Sequence, residues 1–381
     1  MTIHWCGTGL SSIPGLRKLV EEFPQTQVWN RSTDKAKAAV GDLTDHVNEF
    51  SLDALGDALQ PGDVAVSMLP GDWHVLIAKL CIEKGAHFVS SSYISPEMRD
   101  LDTAASEAGV SLINEVGLDP GIDHLMAHWL VADYRASDAF AATNALSFTS
   151  YCGGVPKIPN AFRYKFSWAP AGVLKALKSP SRSIRAYSEL KVAKPWDAIT
   201  SYIAPLPTPE SFEVYPNRDS LPFLAEYGFD KAWPIKEFVR GTLRLNGWAD
   251  AWSSIFEQLE TLAGAEADEW ITQKAAQLVV ENAYEKDEPD RVVLCVSLLA
   301  ESDGTPVYHK TYTMDAWGDL RGSAMARLVS GPVVLAVKAV QDRAISAGVH
   351  AAPSDPKLVH DWMEFVASQA QYLHVADHIK K

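Results

Sequence analysis

Gly7-Thr8-Gly9-Leu10-Ser11-Ser12 follows a short apolar run, Ile3-His4-Trp5-Cys6, and precedes a helical pattern with Pro14 near its start. Gly7 permits a tight turn, and Gly9 lets backbone N–H groups approach a pyrophosphate closely. A third small residue, here Ser12 in place of Gly or Ala, lets helix and strand pack together. The following helix would present unpaired N–H donors and its positive dipole end to the phosphates. Gly-x-Gly alone is weak, and a plain glycine turn is the structural alternative. Its place between the first strand and first helix of an alternating pattern favours the nucleotide. Roughly twenty residues on, where an acidic residue would bind the ribose of NAD, the chain reads Val28-Trp29-Asn30-Arg31-Ser32-Thr33. Arg31 offers a charge-assisted contact to a 2′-phosphate, with Ser32 and Thr33 as further donors, so the expected cofactor is NADP(H). An ordinary solvated arginine is the alternative.

These residues need elements to position them. Strand-like runs at 2–6, 26–29, 47–50, 64–68, 87–90 and 111–114 alternate with helical patterns such as 73–84. That rhythm predicts an α/β fold with a Rossmann-type, doubly wound parallel sheet. Ser95-Pro96-Glu97 is a helix-start signal, and one helix is expected over 95–108. After Asp119-Pro120-Gly121 the rhythm changes. A strand-like run at 145–151 leads into a Pro-, Gly- and Trp-rich region, then helical patterns at 249–262 and 266–282 and strands at 292–299 and 307–314. This mixture predicts an α+β second domain, which becomes an insertion where the last helix packs back on the first domain. The expected division is 1–120 for dinucleotide binding, 121–320 for the insertion, and 321–381 as a C-terminal helical segment returning to the first domain, with a long apolar helix over 323–347.

At 381 residues the chain exceeds one compact core of usual size. A formal charge of −14 argues against general affinity for nucleic acid or anionic membranes. The four cysteines, Cys6, Cys81, Cys152 and Cys295, have no CxxC spacing and read as reduced intracellular thiols. No basic leader or membrane-length apolar run is evident, so a soluble cytoplasmic protein is expected.

Longer motifs carry a resemblance. Ser90-Ser91-Ser92-Tyr93-Ile94-Ser95-Pro96-Glu97-Met98 is followed by Asn114-Glu115-Val116-Gly117-Leu118-Asp119-Pro120-Gly121-Ile122-Asp123-His124. Next come Ser150-Tyr151-Cys152-Gly153-Gly154, Tyr164-Lys165-Phe166-Ser167-Trp168, Tyr215-Pro216-Asn217-Arg218-Asp219-Ser220 and Arg240-Gly241-Thr242-Leu243-Arg244. In this order the motifs resemble the glutamate-forming saccharopine dehydrogenases, or saccharopine reductases, over nearly the whole chain. The resemblance implies NADP-dependent interconversion of saccharopine with glutamate and 2-aminoadipate 6-semialdehyde, an inserted α+β domain that binds substrate and supports dimerisation, and a homodimer. The chain departs from the family pattern at Ala171, where an arginine is expected nearby, and over 157–161, which lacks an acidic insertion. Both bear on substrate preference more than on reaction type.

The resemblance also implies site residues. Tyr93, Asp119 and Cys152 are candidates at the reacting centre, with Ser92, Arg218, Thr242, Leu243 and Arg244 on substrate. Gly7, Gly9, Leu10, Ser11, Ser12, Asn30, Arg31, Ser32, Met68, Leu69, Ser91, Ser92, Leu118, Asp119 and Pro120 would hold the cofactor. Three substrate carboxylates call for guanidinium clamps, which suits Arg218 and Arg244. The structural alternatives are an ion pair for each arginine, a half-buried tyrosine, an inert buried cysteine, and a helix cap for Asp119 before Pro120. His124 and His128 lie four apart, but without a third ligand pattern they read as a structural pair, and no metal is expected. A carboxynorspermidine or carboxyspermidine dehydrogenase is the nearest alternative, and a non-catalytic NADP-binding sensor the alternative from another class. Arg31→Ala is predicted to lower the NADP-over-NAD preference in kcat/KM by roughly tenfold, as loss of a charge-assisted contact does. Parallel steady-state assays with both cofactors check it, and an unchanged ratio removes the basis for assigning Arg31 to the 2′-phosphate.

Overall fold

The computed structural model describes residues 1–379. The chain folds as two compact units, Met1–Leu125 with Met325–Val366, and Met126–Ala324 with 367–379.

The first unit is built on β1 (Ile3–Cys6), β2 (Gln27–Asn30), β3 (Val47–Glu49), β4 (Val64–Ser67), β5 (His87–Ser90) and β6 (Ser111–Ile113). β1 and β4 are buried at every position, as strands covered on both faces must be, hence their near-continuous apolar composition. All pairings are parallel, in the order β15-β6-β5-β4-β1-β2-β3, where β15 (Gly348–His350) comes from the far end of the chain. The order reverses between β1 and β4, and ligands of open α/β sheets bind at the carboxyl ends of strands at such a point. Serine caps open several helices: Ser32, Ser51 and Ser95 each accept a backbone N–H from the third residue on. The fold class is the one the alternation predicts.

The expected helix over 95–108 is instead two, Pro96–Arg99 and Asp102–Ala108. The Asp102 carboxylate accepts the N–H of Val349 in β15 at 2.8 Å, a contact between distant parts of the chain that a local pattern cannot encode. The apolar C-terminal helix spans Ala324–Gln341 rather than 323–347, and Arg343 turns left-handed (φ 55°) just after it. By length and composition it could cross a membrane, but 78% of it is buried inside the protein.

The second unit carries β7 (Ala145–Pro156), β8 (Ser181–Arg185), β9 (Ser188–Val192), β10 (Thr200–Ala204), β11 (Glu210–Pro216), β12 (Ile235–Leu245), β13 (Asp290–Ser302), β14 (Thr305–Trp317) and β16 (Tyr372–Asp377). Its main order is β10-β11-β12-β7-β13-β14-β16, with only β7 and β12 parallel and the β8–β9 hairpin on β12. The segment expected to return whole to the first domain, 321–381, therefore divides. Its helices and β15 go with the first unit, while Tyr372–Asp377 closes the edge of β14. That edge offers unpaired backbone groups, and a run of β-formers satisfies them. The Pro-, Gly- and Trp-rich region resolves into short antiparallel strands over an aromatic core of Tyr164, Tyr215, Trp248, Trp252 and Phe256.

Gly15 lies in the first turn of the helix Ile13–Glu22 and donates its N–H to Ser330 Oγ at 2.8 Å. A Cβ at position 15 would stand 2.4 Å from the Ser330 carbonyl oxygen, backbone that has nowhere to go. Gly→Ala inside a helix ordinarily stabilises by up to about 1 kcal/mol. Here Gly15→Ala is expected to destabilise instead, by roughly 1–3 kcal/mol as overpacking does. Thermal and urea unfolding measure it, and an unchanged or raised midpoint would refute the close approach.

Candidate active site

In the first unit β1 runs into Gly7, whose N–H donates to Trp29 O at 2.8 Å and whose φ of +105° suits glycine. A side chain there would strike the Met68 carbonyl oxygen at 2.8 Å, so this glycine is required by packing between the ends of β1 and β4. Gly9 differs. A Cβ there would meet nothing within 4 Å, so the protein itself leaves this space open. Packing gives no reason for a missing side chain at Gly9, whereas close approach of a pyrophosphate does. Ser12 is buried, and its hydroxyl donates back to Gly9 O at 3.0 Å, tying the loop to itself. The close helix packing expected at that third position falls to Gly15.

At the end of β2 the Asn30 amide donates to Ser32 O at 2.9 Å, and Ser32 Oγ accepts Lys35 N–H as the cap of the helix Thr33–Val40. Ser32 thus has a structural duty besides any ligand contact. Arg31 is exposed and makes no ion pair or hydrogen bond through its side chain with the described residues. A free guanidinium at this corner fits a 2′-phosphate, and no carboxylate stands at the end of β2 to oppose it.

Met68, Leu69, Ser91, Ser92 and Tyr93 are half-buried just past β4 and β5. The segment 115–121 lies against them: Glu115 N–H donates to Ser92 O at 3.0 Å and Val116 N–H to Ser90 O at 3.4 Å. A Cβ on Gly117 would touch Ser91 Cβ at 3.0 Å, and one on Gly121 would hit Gly117 O at 2.2 Å, so both glycines serve this stacking. Leu118 and Pro120 are buried beside Asp119. The Tyr93 hydroxyl donates to Asp119 Oδ1 at 2.9 Å, which joins two of the candidates from the sequence. The following helix begins at Ile122, where Asp123 Oδ1 takes the Gly121 N–H at 2.7 Å.

His124 is fully buried between Glu115 (3.1 Å) and Asp123 (3.5 Å). Glu115 also receives Ile94 N–H at 2.9 Å, so the cluster ties the Tyr93 loop to the Asp119 loop. His128 packs edge-on to Tyr227 at 5.7 Å in the second unit. The two histidines therefore have separate structural partners. Among the described residues no group of three His, Cys, Asp or Glu is placed to hold a metal.

His74 belongs to none of the motifs in the sequence. It opens the helix His74–Lys84 after β4 and is 6% exposed. Its Nδ1 lies 2.9 Å from Ser67 Oγ and its Nε2 2.8 Å from Ser92 Oγ. Burial, opposed by Asp72, pushes its pKa down to about 4, so the ring is neutral at pH 7. The available signal was a histidine in the first helical turn after β4, beside the strand-order reversal.

In the second unit Cys152 on β7 pairs in register with Thr242 on β12, and Leu243 and Arg244 follow. Gly153 allows this, since a Cβ there would lie 2.2 Å from Leu243 O. Arg218 is exposed, with φ 56°, directly after Asn217, whose N–H donates to Arg240 O at 2.9 Å. Arg244 is 5% exposed. Its Nε and Nη2 donate to the Tyr215 hydroxyl at 3.2 and 3.0 Å. Its guanidinium carbon lies 4.8, 5.3 and 5.8 Å from the rings of Tyr164, Trp248 and Tyr215. Two other buried cations of this unit have carboxylates: Lys165 has Glu288 at 2.6 Å, and Arg291 has Asp315 at 2.7 Å. Arg244 has none among the described residues. Glu213, its neighbour in register, instead caps the helix Trp248–Thr261 by accepting Gly247 and Ala249 N–H. Aromatic faces and one hydroxyl offset part of the burial of this charge. A carboxylate arriving here would supply the missing partner.

These features define a dinucleotide-binding α/β protein with an inserted α+β unit that carries a buried anion-receptive arginine. Comparison with known proteins narrows the class. The saccharopine dehydrogenase NADP binding domain matches residues 3–113, and the saccharopine dehydrogenase C-terminal domain matches 117–370. The chain belongs to the saccharopine dehydrogenase family. It is 36% identical over 250 residues to saccharopine dehydrogenase [NADP(+), L-glutamate-forming] of Pyricularia oryzae, covering 64% of this chain and 54% of the relative. The enzyme of the same name from Saccharomyces cerevisiae is 30% identical over 402 residues, covering 85% and 84%. An apo structure of the L-Glu-forming saccharopine dehydrogenase from Saccharomyces cerevisiae superimposes with a TM-score of 0.80, at 25% identity and 99% coverage of both chains. The chain spans about half the length, or less, of most of the curated relatives it matches.

The depressed pKa of His74 has a consequence for stability. Unfolding restores an ordinary value near 6.5, so between that value and about 4 the unfolded chain binds more protons. The stabilisation is complete above pH 6.5 and is lost as pH falls to about 4, by at most roughly 3 kcal/mol. His74→Gln is expected to flatten the stability–pH profile over that window, measured by urea unfolding in acetate and MES buffers. An equally steep profile in the variant would exclude His74 as its source.

Proposed function

We propose that this protein interconverts saccharopine and water with glutamate and 2-aminoadipate 6-semialdehyde, using NADP(H). The observation that carries the reading is Arg244, a buried guanidinium without a carboxylate among the described residues, on a strand beside Cys152 and Thr242. A substrate with three carboxylates and a secondary amine suits such a residue, because bidentate pairing would compensate the charge. Arg218, exposed after β11, is the second carboxylate partner in this reading, with Thr242 and Leu243 lining the strand.

The cofactor would be held by Gly7, Gly9, Leu10, Ser11 and Ser12 at the phosphates, Asn30, Arg31 and Ser32 at the adenosine ribose, and Met68, Leu69, Ser91, Ser92, Leu118, Asp119 and Pro120 towards the nicotinamide. When bound, it supplies the hydride donor or acceptor. The chain's own work is to orient the carbon–nitrogen bond and manage one proton. Tyr93 and Asp119, hydrogen-bonded at 2.9 Å, form a pair that can hold or pass that proton at the substrate nitrogen. Cys152 is buried and lines the strand, with no covalent role. The family resemblance further implies a homodimer, and four sparse, buried cysteines suit a reducing cytoplasm.

Absorbance at the reduced-nicotinamide band, with saccharopine and NADP or NAD in parallel, tests the reading. NADP reduction with glutamate as product is expected, and Arg244→Lys should lower kcat/KM by roughly 10- to 100-fold, mainly through KM. Turnover of carboxynorspermidine but not saccharopine would move the chain to polyamine chemistry. Cofactor binding with no turnover of either would favour a sensor.

A further inference from the structure

We propose that His74 is a positioning residue for the reaction, its imidazole orienting the Ser92 hydroxyl from behind. The proposal rests on the saccharopine reading above. A serine hydroxyl rotates freely unless something holds it, and its donor or acceptor face towards a ligand depends on that rotation. Ser92 is half-buried, past the carboxyl end of β5 and next to Tyr93, the residue hydrogen-bonded to Asp119. Its hydroxyl meets one side chain among the described residues, Nε2 of His74 at 2.8 Å. The far side of the ring is held by Ser67 Oγ at 2.9 Å, at the last residue of β4. Phe88 of β5 packs against the ring at 6.2 Å with planes inclined at 67°, which limits its rotation.

The chain of three groups is therefore anchored at one end in the sheet and open to a ligand at the other. A neutral imidazole has one N–H and one lone pair, so it donates to one serine and accepts from the other. Either way it occupies one position of the Ser92 rotor and leaves the others for a ligand. The buried ring stays neutral across the working pH range, with its pKa near 4. The constraint on Ser92 is accordingly the same at pH 6 as at pH 9.

A histidine that served only as filler would be satisfied by Ser67 and packing. Two substitutions separate the roles, because an asparagine amide occupies the place of Nδ1 and a glutamine amide that of Nε2. His74→Asn keeps the Ser67 bond and loses the Ser92 bond, while His74→Gln does the reverse. Each loses one hydrogen bond, so both are expected to melt at similar temperatures. Activity is expected to split: kcat/KM for saccharopine falls roughly 10- to 100-fold in H74N, close to Ser92→Ala, and stays within about threefold of wild type in H74Q. Equal activity of the two variants, whether both high or both low, overturns the proposal. Should neither variant fold, 15N-histidine NMR of the wild type decides. The His74 ring signals are expected to shift when saccharopine joins the NADPH-bound enzyme and not to shift in Ser92→Ala, and unmoved wild-type signals overturn the proposal. A wild type inactive with saccharopine would remove the activity reading and this proposal together, whereas an active wild type with H74N equal to it removes this proposal alone.

Discussion

The helix Ile13–Glu22 and the distant helix Ala324–Gln341 approach so closely that Gly15 has no room for a methyl group, and Ser330 fills its hydrogen-bonding need. Much of the first unit follows from this one contact. It makes the dinucleotide-binding sheet depend on residues more than three hundred positions away, and β15 extends the same dependence by pairing with β6. The unit cannot be completed until the inserted segment has been made. The glycine loop sits at the mouth of the helix so held, and its geometry inherits that rigidity. Gly7 is needed because the Met68 carbonyl crowds it, whereas Gly9 faces open space.

Charge is handled in two ways in the second unit. Where a cation only holds structure together, a carboxylate sits against it, as with Arg291 and Asp315 across β13 and β14 or Lys165 and Glu288 between two loops. Arg244 is surrounded by aromatic rings and one tyrosine hydroxyl, and the acidic residue nearest in register is committed to a helix N-terminus. Burying a charge with incomplete compensation is unfavourable unless a ligand completes it. The aromatic core around Trp248 and Trp252 thus has a double part, filling the space between sheet and helices and supplying faces to the guanidinium.

The loops after β4 and β5 show how backbone packing sets side-chain chemistry. Segment 115–121 lies on 90–93 by hydrogen bonds and by the absence of side chains at Gly117 and Gly121. The buried Glu115–His124–Asp123 cluster fastens its base. Tyr93 and Asp119 meet because both loops are held in this way, rather than through any pull between the two side chains alone.

The parallel sheet, the place of the glycine loop and the missing acid after β2 were all legible in the sequence. They rest on local patterns: apolar strands of four residues, a period change, and residue types at fixed offsets. The long motifs likewise pointed to Tyr93, Asp119, Arg218 and Arg244. Tertiary structure alone decided the break in the helix over 95–108, because Asp102 answers to β15. It also decided the return of 372–377 to β14, the shift of close packing from Ser12 to Gly15, and the difference between exposed Arg218 and caged Arg244. His74 became visible only when Ser67 and Ser92 closed on its two nitrogens. Each of these depends on contacts between distant residues, whose free energies exceed local propensity, and a one-dimensional pattern holds no record of which distant groups will meet.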